Sequence, residues 1–296
     1  MDLLSTCALF VAGLVFGSFL NVCISRLPRD LSIVTPGSFC PHCETPIPWR
    51  DNIPLLSWLL LRGHCRKCGA SISRRYPAVE LLTAVFFVAC YASFGSTWLA
   101  LKAGMFGFLV IGLIFMDAET GLLPHEFTYT GIVLGLAFAG LAAFDASGTA
   151  FVMRAFGLRD LSPGPELWLL DAAIGAAFGA GFFYVAWGLY YLARKREGIG
   201  LGDIALIAMV GAFLGLKLTV LVVFLSPILG TLFAVGWLFR DSAPGTAAKG
   251  FEASDSAASN SFLSQAVPFG VFLGSSSLLA MFFGEKIWSW YLGLFR

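Results

Sequence analysis

Four of the seven cysteines stand in two CxxC pairs, CPHC (Cys40, Cys43) and CRKC (Cys65, Cys68), with 21 residues between them. Two such knuckles can bring four thiolates into the tetrahedral set that zinc prefers. The lysine and arginines around the second pair favour thiolate over thiol. Four protein ligands leave no open coordination position, so a metal held there is structural rather than catalytic. The alternatives are disulfides, which a reducing cytoplasm disfavours, and redox CxxC motifs, which need no second copy. His42 and His64 flank the knuckles and are expected outside the ligand set, while Cys7, Cys23 and Cys90 fall in apolar runs as small core residues.

A second set of reactive residues is acidic. Asp117, in FMDAETGLLPHEFT, and Asp203, in GIGLGDIAL, each sit at the edge of a long apolar run. Ionisable groups beside a membrane are costly and rarely accidental. Two carboxylates meeting at one depth can share a proton and activate a water between them. The glycines of GxGxGD (Gly198, Gly200, Gly202) let the backbone approach a partner closely. Simple hydration at a helix end, with Asp203 as a favourable N-terminal residue, is the competing reading. Residue types alone do not separate the two. Glu80 is expected to pair with Arg74 or Arg75, Asp171 to be solvated near the outer face, and Glu119 and Glu126 to be loop charges.

The elements that position these residues follow from composition. Of 296 residues 58% are hydrophobic and 12% charged, about half the charge of a soluble domain. A formal net charge of +1 excludes a general nucleic-acid binder. Apolar runs long enough to cross a bilayer fall near 4–25, 77–94, 97–116, 127–144, 168–193, 204–217, 218–238 and 266–294. The fold class expected is an all-α polytopic membrane protein of about eight transmembrane helices with a small zinc-binding cytoplasmic loop domain. Residues 1–25 form the first span, 26–76 the cytoplasmic zinc-binding domain, and 77–296 the core of about seven helices. A Ser/Ala/Gly-rich stretch, 241–265, reads as a flexible cytoplasmic linker. An amphipathic stretch around Phe151 to Leu158 suits the outer interface.

Orientation follows from the basic residues. With the N-terminus outside, 13 of the 19 Lys and Arg fall in the loops at 26–76, 117–126, 194–203 and 239–265. Those loops are then cytoplasmic, and Asp117 and Asp203, 86 residues apart in sequence, reach the same membrane face.

Five stretches together resemble the bacterial type IV prepilin peptidases, membrane aspartic peptidases of the GxGD type. They are GLVFGSFLNVCISRLPR (13–29), the cysteine segment through ELLT (40–83), MDAETGLLP (116–124), GIGLGD (198–203) and VPFG (267–270). The resemblance implies an enzyme of the bacterial inner membrane that cuts the basic leader of type IV prepilins and type II secretion pseudopilins after a glycine. It implies N-methylation of the new N-terminus from S-adenosylmethionine, with Asp117 and Asp203 catalytic and Cys40, Cys43, Cys65 and Cys68 binding zinc. The residues contacting S-adenosylmethionine are not identified by it. Three positions depart from the pattern: His125 where an Asp is frequent, Ala205 where a Lys is frequent, and Val271 where a Pro is frequent. The rivals are a peptidase without methyltransferase activity and a transporter or scaffold whose Asp pair carries ions.

Overall fold

The computed structural model describes residues 2–157, 164–195, 200–241 and 268–294, with backbone alone for 237–241. Gly198, Val267, Leu158 and the linker 241–265 beyond Asp241 lie outside the described residues.

The chain is helical. In order come α1 (Leu3–Arg26), α2 (Leu56–Leu60), α3 (Arg75–Phe94), α4 (Trp98–Thr120), α5 (His125–Ala139), α6 (Ser147–Ala155), α7 (Pro165–Arg194), α8 (Leu201–Asp241) and α9 (Phe269–Gly293). Their ends carry the expected polar signals. Asp2 accepts from Ser5 N at 2.6 Å to cap α1, Thr97 accepts from Ala100 N at 3.3 Å to cap α4, and Pro165 occupies the first turn of α7. Gly121 ends α4 in the left-handed conformation, φ 65°.

Five helices among the described residues are long and apolar enough to cross a membrane: Leu3–Arg29, Arg75–Phe94, Trp98–Thr120, Pro165–Arg194 and Leu201–Gly236. The last contains two passes. Gly215, at φ 79° and ψ 179°, interrupts it. On one side of the break Gly202 lies against Leu123; on the other, Leu218 lies against Gly284 and Phe233 packs on Phe272 near the start of α9. The chain therefore runs from the Asp117 end to the far end and returns. α5 and α9, which the expected eight also include, are not among the five. α5 is shorter than the run 127–144, stopping at Ala139, and α9 carries Glu285 and Lys286.

α4 is the central helix. Phe106, Ile111, Leu113 and Met116 are fully buried against Leu206, Ile207, Met209 and Phe213 of α8 and Leu20 and Ile24 of α1. α1 crosses α3 so closely that a Cβ on Gly17 would lie 2.6 Å from Cα of Glu80. Cys23 and Cys90 are buried as expected, but Cys7 is exposed, on the outward face of α1 that also shows Val11 and Val15.

Two expectations about charged residues are overturned. Asp171 is 3% exposed rather than solvated. It accepts from Thr149 Oγ1 on α6 and from Leu216 N at 3.3 Å, supplying an acceptor where Gly215 breaks the helix. Glu80 pairs with neither arginine. Five residues on a helix rotate a side chain by about 140°, and Arg75 instead reaches Glu119 of α4 at 2.5 Å.

Candidate active site and metal centre

Asp117 lies in the last turn of α4, 6% exposed. Its Oδ2 accepts from the backbone N–H of Val271 at 2.9 Å, in the first turn of α9. Helix N-termini present unpaired amides, so a carboxylate there is held by donors that need no side chain. The contact requires Gly270 to be glycine, because a Cβ there would meet Asp117 Oδ2 at 2.8 Å. Asp203 occupies the first turn of α8, half-buried, with its own N–H donating to Gly200 O at 3.1 Å. The charge of Asp117 acts directly on it.

Leu123 joins the two sides. A Cβ on Gly202 would meet Leu123 Cβ at 2.9 Å, and one on Gly270 would meet Leu123 Cδ1 at 3.2 Å. The stretches 116–124, 200–203 and 268–271 thus converge on one end of the bundle, and the two aspartates stand there together. Leu123 and the Val271 amide were missed by residue-type reasoning, because neither carries a reactive side chain. Of the three departures, His125 stacks on Tyr129 at 5.0 Å, and Ala205 is buried. Glu119 is bound to Arg75, while Glu126 is exposed.

The four cysteines form a separate cluster, with all Sγ atoms within 4.8 Å of one another. The two knuckles fold alike. Cys40 N bonds to Thr45 O at 3.0 Å and Glu44 N to Cys40 O at 2.8 Å; Cys65 N bonds to Ala70 O at 2.8 Å and Gly69 N to Cys65 O at 2.9 Å. The residue after each second cysteine takes positive φ, 54° at Glu44 and 72° at Gly69. His42 and His64 are exposed and outside the cluster.

The cluster fits a tetrahedral metal. Zn–S bonds of about 2.3 Å place sulfurs roughly 3.8 Å apart, and Cys40 Sγ and Cys68 Sγ are 3.8 Å apart. Hydrogen bonds from Thr45 bring the Cys43 thiol down to about 6. Backbone N–H groups of Cys68 and Lys67 lower Cys65. Cys68 moves the other way, to about 11: the backbone hydrogen bond from Ala70 lowers it, but burial and the neighbouring Cys65, Cys43 and Cys40 thiols outweigh that, so the knuckle thiols do not all ionise together.

Fold and site define a class: a helical membrane protein with two carboxylates converging at one end of its bundle and a four-cysteine unit capable of holding a metal. Residues 11–94 match the Bacterial Peptidase A24 N-terminal domain and residues 103–235 the Type IV leader peptidase family. The chain belongs to the Type IV leader peptidase family. It is similar to proteins named prepilin leader peptidase/N-methyltransferase. That of Aeromonas hydrophila is 34% identical over 96% of this chain and 92% of the relative. That of Pseudomonas aeruginosa is 33% identical over 95% and 91%. That of Myxococcus xanthus is 43% identical over 70% of this chain and 55% of the relative. No solved structure matches the chain.

Proposed function

We propose that Asp117 and Asp203 are the catalytic pair of an enzyme that removes the leader of type IV prepilins and N-methylates the N-terminus it exposes. Membership of the family and the shared name of the relatives support both activities. The transporter and scaffold readings have no such support. The observation that carries the site is the convergence of the two aspartates, from α4 and α8, beside the first turn of α9.

A water held between the carboxylates gives up a proton to the ionised one, while the protonated partner polarises the scissile carbonyl. Attack produces a tetrahedral intermediate without a covalent enzyme adduct. Its collapse returns a proton to the leaving amine. The basic loop residues support a place for this end of the bundle on the cytoplasmic side of the bacterial inner membrane, where a basic leader with an embedded helix beyond it arrives at the right depth. Pseudopilins of type II secretion present the same chemistry and are further substrates. Cys40, Cys43, Cys65 and Cys68 hold zinc, which keeps a small unit with few apolar side chains folded. S-adenosylmethionine supplies the methyl group.

Asp117→Asn and Asp203→Asn, in detergent-purified enzyme with a prepilin substrate, test the pair. Each is expected to slow cleavage at least about 1,000-fold while the protein elutes and melts as the unmodified enzyme does. Normal cleavage by either variant removes that residue from the mechanism.

A further inference from the structure

Within the four-cysteine unit, the stretch Leu55–Leu61, LLSWLLL, is apolar in all but Ser57. α2 is built from it, and the two sides of this short helix meet different surroundings. Ser57 is buried, its Oγ donating to Arg50 O at 3.1 Å, and Trp58 Nε1 donates to Ile72 O at 3.2 Å. Leu56, Leu59 and Leu60 share the outward side at spacings of three and four residues. They are 49%, 63% and 72% exposed. Contiguous exposed leucines mark a surface that contacts another apolar body.

Depth decides what that body is. Both ends of α2 are tied to the start of α3, a helix long and apolar enough to cross the membrane. At one end Leu55 N donates to Glu80 Oε2 at 2.8 Å, and Glu80 lies five residues beyond Arg75, the first residue of α3. At the other, Ile72 N donates to Gly63 O at 2.7 Å, three residues before Arg75. α1 supplies the scale. Its Gly17 lies against Glu80, and Asn21 Nδ2 donates to Tyr76 O at 3.0 Å. Gly17 is nine residues, or ~13 Å, from the end of α1 at Arg26. α2 is therefore held beside the last turns of a membrane-crossing helix, level with the edge of the hydrocarbon layer. Seven helical residues reach only ~10 Å, far short of the roughly 30 Å needed to cross. A short helix with one apolar face at that depth lies along the interface. Leu81, Leu82 and Val85, which follow Glu80 on α3, are exposed as well, so the apolar surface continues into the span. Arg62, directly after α2, is exposed, as suits a residue among phosphate headgroups.

We propose that α2 is an interfacial anchor: Leu56, Leu59 and Leu60 insert at the acyl-chain boundary of the leaflet that α3 enters, and phospholipid is the partner of this face. The four-cysteine unit is then fixed to the bilayer surface by its own helix, not only by the chain ends that lead into α1 and α3. This anchoring is independent of both enzymatic activities.

The test uses the full chain in nanodiscs of phosphatidylcholine and phosphatidylglycerol. Leu60→p-benzoylphenylalanine is compared with His42→p-benzoylphenylalanine, which probes an exposed position in the first knuckle. On illumination the probe at 60 is expected to add the mass of one phospholipid to the protein, and the probe at 42 to add none. A nitroxide amino acid at the same two positions reads depth: dissolved oxygen should relax it more than aqueous chromium oxalate at 60, with the order reversed at 42. Stronger relaxation by chromium oxalate at 60 places the face in water and overturns the anchor. An adduct of two protein chains assigns the face to a second copy and overturns it equally. Both readings are repeated at Leu59, so the outcome does not hang on one variant folding, and prepilin cleaved at the normal rate shows that each probe-bearing chain is intact.

Discussion

The backbone N–H of Val271 donates to Oδ2 of Asp117 at 2.9 Å, across 154 residues of sequence. Proline has no N–H, so Val271→Pro removes this bond, yet the first helical turn tolerates the ring. A hydrogen bond to a charged group contributes about 1.5–3 kcal/mol. Because proline is frequent at this position in the enzymes the chain resembles, the bond is not needed for the reaction: Val271→Pro should keep kcat for leader cleavage and show the loss of the bond as a lower Tm in detergent. Val271→Ala, which keeps the amide, should cleave normally.

The far end of the bundle holds a polar cluster whose loss should be felt in stability. Lys102, 2% exposed, donates to Ala142 O at 3.0 Å, within electrostatic reach of buried Asp171. Removing Asp171 strips the acceptor from Thr149 Oγ1 and Leu216 N and leaves Lys102 without its counter-charge. Asp171→Leu should cost about 3–5 kcal/mol, seen as a lower Tm in detergent. The double variant with Lys102→Met should lose less than the sum of the two.

Glu44 and Gly69 occupy equivalent positions in the two knuckles, both at positive φ. Glycine adopts that conformation freely, whereas a residue with a Cβ is strained there by about 1 kcal/mol. Glu44→Gly should therefore strengthen the unit, seen as slower metal loss to a chelator. Gly69→Ala should speed it.

Acid should release the metal. The folded state depresses the Cys43 thiol from 9.0 to about 6 through the Thr45 hydrogen bonds. A depressed pKa adds stability that is fully present above the unfolded value, and that contribution is lost as pH falls through the folded one. Thiolates must also be deprotonated to ligate. Zinc content measured after dialysis should hold at pH 7.5 and fall between about pH 6 and 5. Cys43→Ser should be zinc-poor at every pH.

The cysteine unit was legible because its ligands are local: spacing within each CxxC pair is set by the chain itself. The aspartate pair became legible only through the count of loop charges, which sends the ends of α4 and α8 to one face. Asp171 was misread because what buries it comes from Thr149 and Leu216, 22 and 45 residues away, and no periodicity within α7 reports such partners. Lys102 went unremarked inside an apolar run, although an ionisable residue there is itself a signal. The break in α8 was placed at 217/218, where Lys217 interrupts the apolar run, whereas the backbone turns at Gly215. Lys217 is instead satisfied by Asp145 at 2.6 Å and Glu285 at 2.7 Å. Leu123 and the Val271 amide act through shape and main chain, which residue types do not encode.

The turn at Gly215 also bears on how the protein sits in a membrane. From Leu201 to the turn the helix is only ~21 Å long, short of the roughly 30 Å hydrocarbon layer. It cannot be held across a bilayer by length alone. Its Gly211 lies against Gly175 of α7, and the backbone freed at Gly215 finds its acceptor in Asp171 of the same helix. The first half of α8 is therefore held at its depth by α7, and the carboxylate of Asp203 with it.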